Sequence, residues 1–208
     1  MAGAGLRELV LASSNRGKLA ELAPLLAGAG FELRTQAEFG VRDAIEDGAS
    51  FVENALIKAR HASAASGLPA LGDDSGLLVD ALGGAPGLYS ARYAGTHGDC
   101  TANIAKLLHA LHGLPAQART ARFHCALVLV RHHRDTLPII AEGSWEGCIL
   151  DAPRGDRGFG YDPVFFDPAV GMGAAELEET VKNRISHRGR AIEQLRVLLA
   201  RAFPSGTQ

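Results

Sequence analysis

Ala70-Leu71-Gly72-Asp73-Asp74-Ser75-Gly76 runs from apolar residues into two adjacent carboxylates, a hydroxyl and a glycine, with Leu77-Leu78-Val79 directly after it. A short apolar run of this kind reads as the end of a buried strand presenting acidic groups. Successive side chains on a strand leave opposite faces, so at most one of Asp73 and Asp74 is expected to be comfortable in a core. The other needs a partner. A hard divalent cation such as Mg²⁺ fits, because it binds one or two carboxylates, keeps several waters and bridges to phosphates. Asp-Asp-Ser-Gly is also turn chemistry between apolar flanks, and the stretch alone leaves both readings open.

Upstream, Leu6 to Ala12 is an apolar run that predicts a buried strand. Ser13-Ser14-Asn15-Arg16-Gly17-Lys18 then opens a helix whose Leu19, Leu22, Leu25 and Leu26 recur at helical spacing. Strand, polar turn and helix start together form an anion site: free N–H groups and the positive end of the helix dipole point one way. Asn15 and Lys18 are three apart and can reach one ligand, or Asn15 can simply cap the helix. The glycine spacing of the NTPase phosphate loop is absent. Phe31 to Thr35 is a second strand candidate, and Gly40 to Gly48 is a loop carrying Asp43, Glu46 and Asp47. Ser50 and Glu53 form a capping box for a helix over Phe51 to Ser66, on which Asn54 and Lys58 share a face.

Downstream, Gly83-Gly84-Ala85-Pro86-Gly87 forces a turn, and Asp99 or Thr101 caps a helix with Ile104, Leu107, Leu108 and Leu111 on one side. Phe123 to Val130 predicts a central strand, and Leu137 to Ile149 continues an antiparallel meander. His124 beside Cys125 resembles a zinc fragment that nothing completes. In Gly158-Phe159-Gly160-Tyr161-Asp162-Pro163 glycines alternate with aromatics, which suits close approach to a stacked base or a kinked edge strand. Glu176 to Asn183 is helical in character, and a last helix follows Ser186-His187-Arg188-Gly189. His187 and Arg188 there sit in a first turn, against the preference of the dipole.

The 208 residues are 47% hydrophobic and 21% charged, with a net charge of -2, which describes a folded chain of one domain spanning 1–208. That charge gives no broad field for nucleic acid or for an anionic membrane. Cys100, Cys125 and Cys148 have no paired spacing, so a cytoplasmic setting is expected. Met1 to Leu6 lacks the features of a signal peptide, and no apolar run approaches the roughly 20 residues that cross a bilayer.

The ordered set of Ser13-Ser14-Asn15-Arg16-Gly17-Lys18, Phe51-Val52-Glu53-Asn54-Ala55 to Lys58, Asp73-Asp74-Ser75-Gly76, Gly84-Ala85-Pro86-Gly87 to Tyr93, Phe159-Gly160-Tyr161-Asp162-Pro163 and Ser186-His187-Arg188-Gly189 strongly resembles the inosine/xanthosine triphosphate pyrophosphatase family. The resemblance implies a mixed α/β fold with a long curved central sheet flanked by helices and two lobes with the active-site cleft between them. It implies a homodimeric, Mg²⁺-dependent hydrolase that converts ITP, dITP and XTP to the monophosphate and pyrophosphate. Its implied roles make Asp74 the proton acceptor and a metal ligand, with Glu46 and Asp73 as further metal or water ligands. Substrate contacts implied in the same way are Ser13, Ser14, Asn15, Arg16, Gly17, Lys18, Lys58, Ser75, Phe159, Gly160, Tyr161, Asp162, Lys182, His187 and Arg188. A nucleotide sensor without turnover, and a serine hydrolase built on Ser75, are the competing readings. Gly72-Asp73-Asp74-Ser75-Gly76 is not the Gly-X-Ser-X-Gly elbow that the latter requires.

Overall fold

Alternating side chains along the strands decide the layers. The computed structural model describes residues 7–28 and 30–202, so the Met1 to Leu6 reading lies outside the described residues. Strands β1 (Arg7–Leu11), β2 (Phe31–Thr35), β3 (Ala70–Val79), β4 (Thr120–Val130), β5 (Ile139–Ile149), β6 (Phe165–Asp167) and β7 (Met172–Gly173) form a sheet in the order β2-β1-β3-β4-β5-β6-β7. β1 pairs in parallel with β2 and β3, whereas β5, β6 and β7 pair antiparallel, so the sheet is mixed. Five α-helices stand among the described residues: α1 (Arg16–Ala27), α2 (Phe51–Ser66), α3 (Cys100–Ala110), α4 (Glu179–Ile185) and α5 (His187–Ala202). None is long and apolar enough to cross a membrane.

The chain divides into two compact units, each assembled from separated segments. The first unit takes the chain up to Asp74, then Cys125–Gly143 and the part from Arg190 onward. In it Leu9 and Leu11 of β1, Leu71 of β3 and Cys125, Leu127 and Leu129 of β4 share one core with Leu22 and Leu26 of α1 and Ile192, Leu195 and Leu199 of α5. Val10, Ala70, Ala126, Val128 and Val130 pack on the other face against Ala55, Ala59 and Ala62 of α2. Both faces are covered, which is why these strands read as continuous apolar runs. The side chain of Leu25, expected on the inner stripe of α1, lies outside the described residues.

Because Ala70 and Leu71 take opposite faces, the same parity sends Asp73 toward the α1 side and Asp74 toward the α2 side. Gly72 fixes how closely α2 approaches. A Cβ there would lie 1.9 Å from the Ala55 carbonyl oxygen, so only a residue without a side chain permits the contact.

The second unit comprises Ser75–His124 and Ser144–Gly189. Its core joins Leu77 and Val79 of β3, Phe123 of β4, Trp145 and Ile149 of β5 and Phe165 of β6 with Leu107 of α3 and Leu111 directly after it. Asp99 caps α3 by accepting from the Ala102 N–H at 2.9 Å, one of the two caps expected. Trp145 satisfies its indole by donating to Asp167 Oδ2 at 2.7 Å, as a buried tryptophan must. Two expectations are corrected here. The glycine and aromatic stretch is not an edge strand throughout: a 3₁₀ turn at Asp162–Val164, with Pro163 inside it, precedes the short β6. The helix foreseen from Glu176 starts at Glu179, after a 3₁₀ turn over Ala174–Glu176.

Candidate functional site

In the first unit Lys18, Asn54 and Lys58 converge on Asp73 and Asp74, which lie inside β3 and not at the strand end that the sequence suggested, because the strand runs on to Val79. Asn15 is the N-cap of α1, its Oδ1 accepting from the Gly17 N–H at 2.9 Å and the Lys18 N–H at 3.2 Å. Its side-chain oxygen therefore serves the helix, and Asn15 in turn donates its own N–H to Ser13 Oγ at 3.1 Å. Ser14 donates to Asp43 Oδ1 at 2.7 Å, and Gln36 donates to the same oxygen in a very short bond. Of Arg16 only the backbone, opening α1, is described, and Gly17 follows it in the first turn.

Asp73 and Asp74 are both buried, against the expectation that a core would accept only one. The reason is a lysine on each face. Lys18 Nζ reaches Asp73 Oδ1 at 2.5 Å and the Asp73 carbonyl at 3.0 Å, while Lys58 Nζ reaches Asp74 Oδ1 at 2.8 Å. A buried carboxylate is tolerated when it is paired in this way. Lys58 also lies 3.3 Å from Glu46 Oε2, so two carboxylates converge on one cation. Burial raises the pKa of Asp74; Lys58 and Lys18 pull it down, Glu46 pushes it up, and the net shift is upward. Burial works to lower the pKa of Lys58, but attraction to Asp74 and Glu46 outweighs it and the pKa is raised.

Asp74 and Glu46, both drawn to one ammonium, are a donor set that suits a hard cation completing its shell with water and phosphate oxygens. Asp73 is directed elsewhere, since its carboxylate meets Lys18 on the opposite face, with Cys125 Sγ 4.0 Å from its other oxygen. Among the described residues no three His, Cys, Asp or Glu side chains gather as a ready cage. His124 and Cys125 are no exception: His124 Nδ1 is 3.0 Å from Ser144 Oγ, while Cys125 belongs to the first unit's core.

A second group stands in the second unit. Asp162 Oδ2 accepts both the Phe159 N–H and Lys182 Nζ at 2.7 Å, which ties the glycine-flanked Phe159 turn to α4. Lys182 Nζ and Arg188 Cζ lie 5.2 and 5.6 Å from the Phe159 ring centroid, within cation–π range. Arg188 also donates to Ser75 Oγ at 3.3 Å. Ser186 Oγ accepts from the Gly189 N–H at 3.2 Å, holding His187 and Arg188 at the start of α5. Gly160 turns with φ +62° beside Phe159. The two aromatics offered for stacking separate: Phe159 is 37% exposed, whereas Tyr161 is buried and donates its hydroxyl to the Ser90 carbonyl at 2.9 Å. Burial raises the Tyr161 pKa, and the phenol stays protonated.

Two participants were not foreseen. Gln36 is buried and holds Asp43, which holds Ser14. Phe123 stacks on His187 with centroids 4.8 Å apart and planes at 15°. Asn54, which the sequence set on one helix face with Lys58, donates to Asp74 Oδ2 at 3.3 Å.

The family model described as the Ham1 family matches residues 9–198. A dITP/XTP pyrophosphatase of Xanthomonas oryzae pv. oryzae is 60% identical over 190 residues, covering 91% of this chain and 96% of the relative. A dITP/XTP pyrophosphatase of Xylella fastidiosa is 59% identical over 191 residues, covering 92% and 96%. Among solved structures, a HAM1 protein from Coxiella burnetii superimposes with a TM-score of 0.87 at 49% identity, over 94% of this chain and 100% of that one. The matched span reaches into both units and takes in all of the positions on which the resemblance rested, so this chain belongs to the Ham1 family.

Proposed function

We propose that this chain hydrolyses non-standard purine nucleoside triphosphates, ITP, dITP and XTP, to the monophosphate and pyrophosphate, and so cleanses the nucleotide pool. The names of the relatives at 60% and 59% identity support the substrate class. The observation that carries the chemistry is the convergence of Asp74 and Glu46 on Lys58, with Lys18 held beside them by Asp73. In this reading Asp74 and Glu46 hold Mg²⁺. When bound, the ion supplies Lewis-acid charge against the triphosphate oxygens.

The chain's own groups do the rest. Asp74 orients the attacking water toward the α-phosphorus and accepts its proton. Lys18 and Lys58 balance the charge that gathers on the departing pyrophosphate. Ser13, Ser14, Arg16 and Gly17 border the α1 N-terminus, where the positive end of the helix dipole favours phosphate oxygens; Asn15, which accepts the Gly17 and Lys18 N–H groups, contributes by fixing that turn. Asp73 serves by placing Lys18.

Base choice falls to the second unit. Phe159 stacks on the purine, and Arg188 and His187 donate toward the oxygen at purine position 6. Lys182 and Asp162 hold the Phe159 turn, with Gly160 giving it its bend and Tyr161 anchoring it from the core. Adenine carries an amino group at position 6, so its donor would meet donors, at about 1–3 kcal/mol per unsatisfied group. Ser75, engaged by Arg188, contributes to this group rather than acting as a nucleophile. The active form is a homodimer in the cytoplasm, a setting compatible with the three free thiols of Cys100, Cys125 and Cys148.

Incubation with ITP, XTP, GTP and ATP, in Mg²⁺ and in EDTA, with chromatography of every product, tests the reading. IMP and pyrophosphate from ITP, absent in EDTA and scarce as GMP or AMP, are the expected products. IDP and phosphate would overturn the site of attack, and binding without turnover would make the protein a sensor.

A further inference from the structure

We infer that Asn54 is a positioning residue, one that sets the orientation of Asp74 and ties it to the loop bearing Glu46. The inference rests on the pyrophosphatase reading for the roles of those two carboxylates.

Glu46 sits in residues 41–48, a segment with no helix or strand of its own. Such a segment holds a ligand in place only where side chains pin it. Asn54 pins its end. Oδ1 of Asn54 accepts the Gly48 N–H at 2.9 Å while Nδ2 donates to Asp74 Oδ2 at 3.3 Å, and the residue is 3% exposed. The backbone amide of Gly48 can only donate, so the atom facing it must be the oxygen, and the amino group is thereby turned to Asp74. One buried carboxamide thus satisfies a loop and a carboxylate in a single orientation.

Gly48 is shaped for this contact. A Cβ there would lie 2.8 Å from Asn54 Oδ1 and 2.8 Å from Glu53 Cβ, so a side chain would push the loop off the helix. The geometry also divides the two oxygens of Asp74. Lys58, one turn further along α2, takes Oδ1 and Asn54 takes Oδ2, so the carboxylate is gripped from one helix face at both atoms. Only Asn satisfies both neighbours. Asp would keep the acceptor for Gly48 but lose the donor and set a second carboxyl against Asp74. Ala would lose both bonds.

The test compares Asn54→Asp and Asn54→Ala with the unaltered protein. Steady-state kinetics with ITP and Mg²⁺ report on Asp74, and amide hydrogen exchange over residues 41–49, without metal or nucleotide, reports on the loop. Partners of this kind change activity by about 10–100-fold when removed. Asn54→Asp is expected to lower kcat by that factor, with KM within about threefold and the loop protected as before. Asn54→Ala is expected to lower kcat similarly and to expose the loop as well. If Asn54 were merely a cap for Gly48, Asn54→Asp would keep full kcat, and that result overturns the inference. Loss of kcat in Asn54→Asp together with a deprotected loop overturns it too, since the effect would then pass through the loop. An unaltered protein that turns over none of the nucleotides sinks the pyrophosphatase reading itself, a result distinct from an active protein disabled at Asn54.

Discussion

The Lys58–Asp74 pair of the first unit and the Lys182–Asp162 pair of the second are both buried carboxylate–lysine contacts, at 2.8 and 2.7 Å, yet they are built for different work. Around Asp74, three carboxylates, counting Asp73 and Glu46, face Lys18 and Lys58, so the group has an anionic surplus that an added cation would relieve. Around Asp162, one carboxylate faces Lys182 with Arg188 beside the same Phe159 ring, which leaves a cationic surplus suited to an acceptor oxygen. The Asp74 oxygens go to two side chains of one helix, whereas a single oxygen of Asp162 accepts both the Phe159 N–H and Lys182 Nζ and so shapes a turn. Similar ion pairs therefore differ in function through the charge left over around them.

The comparison predicts its sharpest effect at Asp74. Asp74→Asn removes the proton acceptor and a metal ligand and should lower kcat about 10²- to 10⁴-fold, measured as IMP formation, with the fold checked by circular dichroism. Next comes Lys18→Met, which removes the ammonium paired with the fully buried Asp73 carboxylate. Removing one partner of a buried pair is expected to destabilise by about 3–5 kcal/mol, seen as a lower urea midpoint. Were stability unchanged, the buried pairing of Asp73 would not be what permits it in the core.

In the second unit two aromatics should separate. Phe159→Ala loses a stacking face of about 1–3 kcal/mol and should raise KM for ITP with little change in stability. Tyr161→Phe loses one buried hydrogen bond, about 0.5–1.5 kcal/mol of stability, and should leave KM near its original value. The reverse pattern would exchange their roles.

The smallest effect concerns a carboxylate outside both groups. Asp135 accepts bonds from the Arg131 N–H, Nε and Nη2 and from the Leu137 N–H, which hold its pKa well below the usual carboxylate range. A depressed folded pKa contributes stability that is full above the ordinary value of 3.8 and is lost as pH falls through the folded one. The stability gap between the protein and Asp135→Asn should therefore be constant at neutral pH and narrow below about pH 4, with kcat unaffected throughout.

What was legible in the chain follows the range of each interaction. The helix over Phe51–Ser66 is local: Ser50 Oγ accepts the Glu53 N–H at 3.2 Å, as the capping box implied, although Glu53 returns its bond to the Ala49 N–H at 2.6 Å and not to that of Ser50. The opposed faces of Asp73 and Asp74 follow from strand geometry alone. Their lysine partners do not, because Lys18 is 55 positions from Asp73 and only the packing of α1 brings it there. Phe123 under His187, and Gln36 behind Asp43, are likewise products of tertiary packing with no local mark. The division into units was hidden for another reason. The chain passes between them within β3 at Asp74–Ser75, within β4, within β5 and within α5 at Gly189–Arg190, where no linker composition exists to signal a boundary.

Hydrolysis of ITP in H₂¹⁸O tests the central claim most directly, because it shows which phosphorus the water attacks. With Asp74 directing water at the α-phosphorus, all of the label should appear in IMP and none in pyrophosphate. Label in pyrophosphate would place the attack on the β-phosphorus and contradict the account.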